Sequence, residues 1–189
     1  MKRDPSSLNQ MHGRLRPATL SDVPALEELI PLSVRVLHAP YYSAAQMAAA
    51  MGPVFGVDRQ LISDGTYFIV ENDGAIIGSG GWSKRASLYG ADSTRMGEDA
   101  MLDPVKDPAR IRAFFIHPDW SRRGIGRAIL TACESVIIAA NFTKAELVAT
   151  LAGEPLYLAC GYVETERYEV PMSAGLTLPV VRMSKRLVP

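Results

Sequence analysis

Apolar positions change period several times along the chain, and each change marks an element. Arg14 to Pro17 reads as a short first strand. Val23, Leu26, Ile30, Val34 and Leu37 then follow a helical stripe, introduced by a capping-box pair, Thr19 and Asp22, with Pro24 tolerated in the first turn. Pro31 predicts a kink or an end in that helix, because its ring removes a hydrogen bond and crowds the preceding turn. Tyr42 to Met51, rich in alanine and methionine, predicts a second helix closed by Gly52, Pro53 and Gly56. Thr66 to Glu71 is β-branched and aromatic, hence a strand. Asn72-Asp73-Gly74 is a hairpin turn, with Ala75 to Trp82 as the returning strand.

From Ser83 to Arg110 no period lasts, and two Asp-Pro steps interrupt the run. A stretch this long without its own pattern is expected to be functional or mobile, helping to cover a substrate. Ile111 to His117 returns to strand character. A helix begins near Gly124, where Ile129, Leu130, Cys133, Val136, Ile137 and Ala140 fall on one face. Glu146 to Leu151 is the next strand, Glu154 to Gly161 a short helix, and Tyr162 to Val170 and Thr177 to Leu187 a closing pair of strands. The alternation of strands and helices in the second half predicts a single-domain α/β fold on a mixed sheet.

Composition narrows the function. The chain has 189 residues, 48% hydrophobic and 21% charged, with 20 basic and 20 acidic side chains in balance. A protein that grips many phosphates of a duplex needs a basic excess, so nucleic acid is not an expected partner. The longest apolar run, Val136 to Ala140, is too short to span a membrane. The N-terminus has no apolar core of a signal peptide. Cys133 and Cys160 make no framework and read as reduced residues of a cytoplasmic protein. The histidines, His12, His38 and His117, lie far apart, so no metal site is expected.

The most informative stretch is Ser121-Arg122-Arg123-Gly124-Ile125-Gly126-Arg127, set between a strand and a helix. Glycines at alternate positions let the backbone approach a ligand and aim successive N–H groups at it. The helix N-terminus adds partial positive charge, and three arginines surround it. Together these make an anion site suited to a pyrophosphate. A P-loop would need Gly-Lys-Ser/Thr where Gly-Arg-Ala stands, and a dinucleotide fingerprint would need glycine where Ile129 stands. Glu146 lies at about the distance of that fingerprint's acidic partner, which keeps a dinucleotide oxidoreductase as a minor alternative.

Ala113 to Leu130 resembles the acetyl-coenzyme A motif of the GNAT N-acetyltransferase superfamily: an apolar strand, a His-Pro step, then Gly-x-Gly at the start of a helix. A second block, Glu154 to Tyr162, resembles the family's later Tyr-x-x-x-Gly-Phe/Tyr element. The resemblance covers about residues 14 to 188, leaving 1–13 as an N-terminal extension. It implies a mostly antiparallel twisted sheet flanked by helices, acetyl-CoA as co-substrate, no metal, and an N-acetyltransferase whose acceptor is the primary amine of a small molecule. A homodimer is compatible with it. It further implies that the backbone of Phe114, Phe115 and Ile116 pairs with the pantetheine arm. The segment Arg122, Arg123, Gly124, Ile125, Gly126 and Arg127 holds the pyrophosphate, and Tyr157 protonates the leaving thiolate. Two positions depart from the pattern: Ser121 replaces the leading Arg or Gln, and Thr150 stands near the family's usual Asn. A coenzyme A-binding sensor without turnover is therefore the principal alternative.

The base that relieves the amine of its proton is less evident. Glu146 is the first candidate, provided its strand register turns it toward the cleft. His117 and Glu154 follow, or a water relay. His38, Tyr41, Tyr42 and Trp82 are candidates for an acceptor slot.

Overall fold

The computed structural model describes residues 13–90 and 99–187. In chain order it comprises β1 (Arg14–Pro17), α1 (Val23–Leu37), α2 (Ala44–Ala50), α3 (Arg59–Ser63), β2 (Tyr67–Asn72), β3 (Ala75–Ser83) and β4 (Ala109–Ile116). These are followed by α4 (Ile125–Ala139), β5 (Lys144–Thr150), α5 (Glu154–Ala159), β6 (Val163–Pro171) and β7 (Thr177–Arg186). All seven strands join one sheet in the order β1-β2-β3-β4-β5-β7-β6. Every neighbouring pair is antiparallel except β4 with β5. The mixed, mostly antiparallel sheet expected from the sequence is present.

Helices cover both faces. The apolar stripe of α4 (Ile125, Ile129, Leu130, Cys133, Ile137) packs into one core with Ile77, Ile111, Leu147, Tyr157 and Met183. On the opposite face α1 buries Leu26, Leu29, Ile30 and Val34 with Leu61 of α3, Tyr67, Ile69 and Phe115. Of the kink or end expected at Pro31, the end does not occur: Pro31 lies inside α1. The missing hydrogen bond and ring clash cost about 3 kcal/mol. Full burial of Leu26, Ile30 and Val34 on either side of the proline outweighs that loss. The short α3 has no apolar period to announce it. It is started by Asp58, whose carboxylate accepts the Gln60 and Leu61 N–H groups.

The aperiodic stretch after Trp82 is more ordered at its ends than its composition suggested. β3 runs on to Ser83 and β4 begins at Ala109. Between them the two arms pair with one another, Ala86 N–H donating to Ala100 C=O and Leu102 N–H to Lys84 C=O. Arg85 anchors one arm to Asp64, with Nε donating at 2.8 Å. Residues 91–98 lie outside the described residues, as do 1–12 of the expected N-terminal extension.

Two irregularities in the sheet make room for a site. First, β4 and β5 pair only at Ala109↔Ala145 and Arg110↔Glu146, then separate. Second, the register of β3 on β4 slips between Ser79 and Gly81, so Ala113 and Phe114 together face Gly80. Ala113 takes φ +57° at this bulge, a conformation costly for a residue with a Cβ. Tyr67 holds it in place: its buried hydroxyl donates to the Ala113 carbonyl at 2.9 Å and lies 3.0 Å from Ser79 Oγ.

Tyr67→Phe removes that bond while preserving the ring, and leaves a buried carbonyl unsatisfied. The variant should lose roughly 1–3 kcal/mol of stability in a denaturant titration. Wild-type stability would mean the bulge is held by other contacts.

Candidate functional site

The fork between β4 and β5 opens into a cleft of about 520 Å³. Its walls are residues 111–116 of β4 and Val148 to Thr150 of β5; α1 closes one end and the start of α4 the other. Beyond Arg110 one edge of β4 has no strand beside it, so its main-chain polar groups need other partners. Ser33 of α1 supplies one, its Oγ accepting the Ile116 N–H at 3.2 Å. Of the three predicted backbone residues, Ile116 therefore has its N–H engaged, Phe115 opposite Ser79 turns its main-chain groups to β3, and Phe114 faces the open edge. Phe114 turns its ring edge-on to Tyr157 at 6.0 Å, while Phe115 turns to the opposite core against Phe55.

The glycine turn lies at one end of the cleft, as the spacing predicted. Gly124 is the N-cap of α4 at φ +85°, a left-handed conformation that a side chain strains. Gly126 answers a different need: a Cβ there would sit 2.9 Å from Leu156 of α5. The first intrahelical bond runs from Ala128 N–H to Gly124 C=O, so the amides of Ile125, Gly126 and Arg127 have no acceptor within the helix. Ser121, Arg122 and Arg127 line the cleft beside them. Arg123 does not; its guanidinium lies over the Trp120 ring, 4.9 Å from the centroid.

Tyr157, on α5, lines the cleft and is 7% exposed, its ring also packed edge-on to Tyr162. Burial pushes its phenol well above the usual range, so the hydroxyl carries its proton throughout physiological pH. Thr150 also borders the cleft, but its Oγ1 is already engaged. It accepts the Gly153 N–H at 3.2 Å and stands 3.1 Å from His38 Nε2.

Glu146 is not among the residues lining the cleft. It sits at the vertex of the fork, buried, with one carboxylate oxygen on Arg110 and the other 2.7 Å from Arg182 Nε. The register places it where β4, β5 and β7 meet, so the same carboxylate that sequence reading offered as a base fastens three strands. Glu154 is tied to Arg167 and His117 accepts the Asp119 N–H; neither lines the cleft. Of the four acceptor-slot candidates only His38 lines it. Tyr41 points outward at 48% exposure, and Trp82 packs on Phe142. Tyr42 is a buried brace, accepting Leu151 N–H and donating to Pro179 C=O.

Sequence reading missed Arg112, which lines the cleft and forms a buried ion pair with Asp58 at 2.9 Å. Its guanidinium also donates to Gly90 C=O at 2.8 Å, drawing the 83–90 arm over the cleft. An arginine inside the run IRAFFIH was the available signal. Ser33 offered none, since it reads as an ordinary helix residue.

Comparison with known proteins agrees with this geometry. Residues 63–164 match the family model of an acetyltransferase (GNAT) domain. No curated protein sequence matches the chain. Among solved structures, a GCN5-related N-acetyltransferase from Rhodopseudomonas palustris aligns at TM-score 0.69 and 21% identity, covering 95% of this chain and 99% of that one. The PaiA N-acetyltransferase of Thermoplasma acidophilum, solved with coenzyme A, aligns at TM-score 0.63 and 13% identity over 93% and 99% of the two chains. A phosphinothricin acetyltransferase from Sinorhizobium meliloti, in complex with acetyl-CoA, gives TM-score 0.62 and 19% identity over 94% and 89%.

Glu146→Gln removes the charge that separates Arg110 from Arg182 at the fork. A buried arginine left without its carboxylate costs on the order of 3 kcal/mol, and the denaturation midpoint should fall accordingly. An unchanged midpoint would show that the three strands do not depend on this ion pair. Because the model match spans more than half the sequence and the architecture agrees along its length, the chain belongs to the GNAT acetyltransferase family.

Proposed function

We propose that the protein transfers the acetyl group of acetyl-CoA to the primary amine of a small molecule. The observation that carries this reading is the cleft itself: an open β4 edge on one wall and, at its end, a helix N-terminus with free amides and two arginines. Such an arrangement suits a long ligand with an extended amide-bearing arm and a pyrophosphate. Acetyl-CoA supplies an acetyl group already activated as a thioester. The amides of Ile125, Gly126 and Arg127, together with Arg122 and Arg127, hold the pyrophosphate. Arg123, resting on Trp120, adds positive charge nearby. The backbone of Phe114 receives the arm in place of the missing strand, with Ile116 contributing its carbonyl; Phe115, paired with Ser79, turns its main-chain groups to β3 instead.

Tyr157 keeps its proton until a thiolate needs it. A free thiol has a pKa near 8.5, so a protonated phenol poised beside a developing thiolate is a competent general acid. The acceptor end is lined by Leu37, Val54, Phe55 and Leu88, and the one arginine there, Arg112, is paired with Asp58. Such a lining favours a compact, largely apolar amine over a polycation.

Two measurements test the reading together. Acetyl-CoA at about a hundredfold excess over its Kd should raise stability by about 2.7 kcal/mol. Gly126→Val, which crowds Leu156 at the α4 N-terminus, should abolish most of that gain. Tyr157→Phe should keep the gain but lower thiol release with an amine panel by roughly 10² to 10⁴-fold. Normal turnover in the phenylalanine variant would place the proton donor elsewhere. Absence of ligand stabilisation in the wild type would remove the reading altogether.

A further inference from the structure

The cleft contains a polar pair that the binding of acetyl-CoA leaves unassigned. His38, the C-cap residue of α1, is 7% exposed and lines the cleft. Its Nε2 lies 3.1 Å from Thr150 Oγ1. Thr150 Oγ1 accepts the Gly153 N–H and keeps one proton to donate; with His38 protonated on Nδ1, the Nε2 lone pair stands in place to accept it. His38 Nδ1 has no partner at strict hydrogen-bond distance, and the backbone acceptor acting on the ring is Val34, one turn back in α1. Phe55 stacks on the imidazole at 5.1 Å between centroids, which holds its plane. The hydroxyl of Thr150 thus stands at the cleft wall with a neutral ring nitrogen behind it.

Among the described residues, the other candidate proton acceptors are engaged elsewhere. Among the described residues no carboxylate lines the cleft. Glu146 and Glu154 are held by arginines outside it. Burial pushes the Tyr157 phenol up, so it keeps its proton at neutral pH. Burial holds His38 down to about 4 with no charged neighbour contributing. Tyr42, the titratable ring beside it, is kept neutral as burial pushes its phenol up to about 12. His38 is therefore in the proton-accepting form across the working range.

We propose that His38, acting through the Thr150 hydroxyl, accepts the proton that the attacking amine must lose. This rests on the acetyltransferase reading above. The unprotonated amine nitrogen bonds to the acetyl carbon and the carbon–sulfur bond breaks. The nitrogen's proton passes to Thr150 Oγ1 as the hydroxyl proton passes to His38 Nε2, while the sulfur takes the Tyr157 proton. One proton returned through solvent from the imidazolium to the phenolate resets both groups, leaving an amide and a thiol.

The test combines kinetics with the state of the ring. With acetyl-CoA and a panel of primary amines, His38→Gln and Thr150→Val should each lower kcat by on the order of 10²-fold at pH 7, with KM for acetyl-CoA little changed. The deficit should shrink toward pH 9, where solvent takes over proton removal, and Thr150→Ser should restore the wild-type profile. His38→Gln with wild-type kcat and pH profile overturns the proposal. Ring ¹⁵N NMR of the wild-type protein with acetyl-CoA should find the proton on Nδ1 and an Nε2 signal that moves in Thr150→Val. A proton on Nε2 overturns the relay whatever the kinetics. If the wild type acetylates no amine in the panel, the acceptor assignment fails instead, and the NMR result still decides the pairing.

Discussion

The sheet's one parallel pairing stops almost as soon as it starts, and most of the site follows from that early stop. Two rungs join β4 to β5, after which the strands diverge and leave a row of main-chain groups without a ladder. Such groups are too costly to bury unpaired. The chain meets the demand partly from within, through Ser33 on Ile116, and leaves the remainder facing a cleft that a ligand with its own amides can enter. Glu146 and its two arginines sit at the vertex, where the sheet changes from closed to open. A carboxylate in that position is more useful as a clamp than as a base.

The cleft is electrically graded along its length. At the α4 end the helix dipole, free amides and arginines favour an anion. At the α1 end the charges are paired, Arg112 with Asp58, and the remaining lining is apolar with His38 kept neutral by burial. Tyr157 stands at the α5 wall, where desolvation secures its proton. The two ends of one continuous cavity thus offer different dielectric surroundings: an anion-favouring end near solvent, and a drier end where charged groups are costly.

Local chemistry made the strands, the hairpin at Asn72-Asp73-Gly74 and the glycine turn before α4 readable from the sequence, because each is decided by residues close together. What escaped reading depends on contacts between distant segments. Pro31 stays helical because the sheet buries the residues around it, which no local rule contains. Glu146 was ambiguous by one residue of register, and only the β7 partner Arg182 shows which way it faces. Gly126 reads as a phosphate glycine from its spacing, but that a Cβ there would also crowd Leu156, thirty residues on, is visible only in the fold. His38 was visible as a candidate, but its pairing with Thr150 joins positions 112 residues apart.

The central claim is that acetyl-CoA completes the sheet at the fork, and amide hydrogen exchange resolved by residue tests it most directly. Addition of acetyl-CoA at about a hundredfold excess over Kd should slow exchange roughly a hundredfold at Phe114 and the α4 amides of Ile125 to Arg127. The edge strand β6, remote from the cleft, should change far less. Unaltered exchange at Phe114 and at the start of α4, with protection appearing on some other surface, would contradict the account.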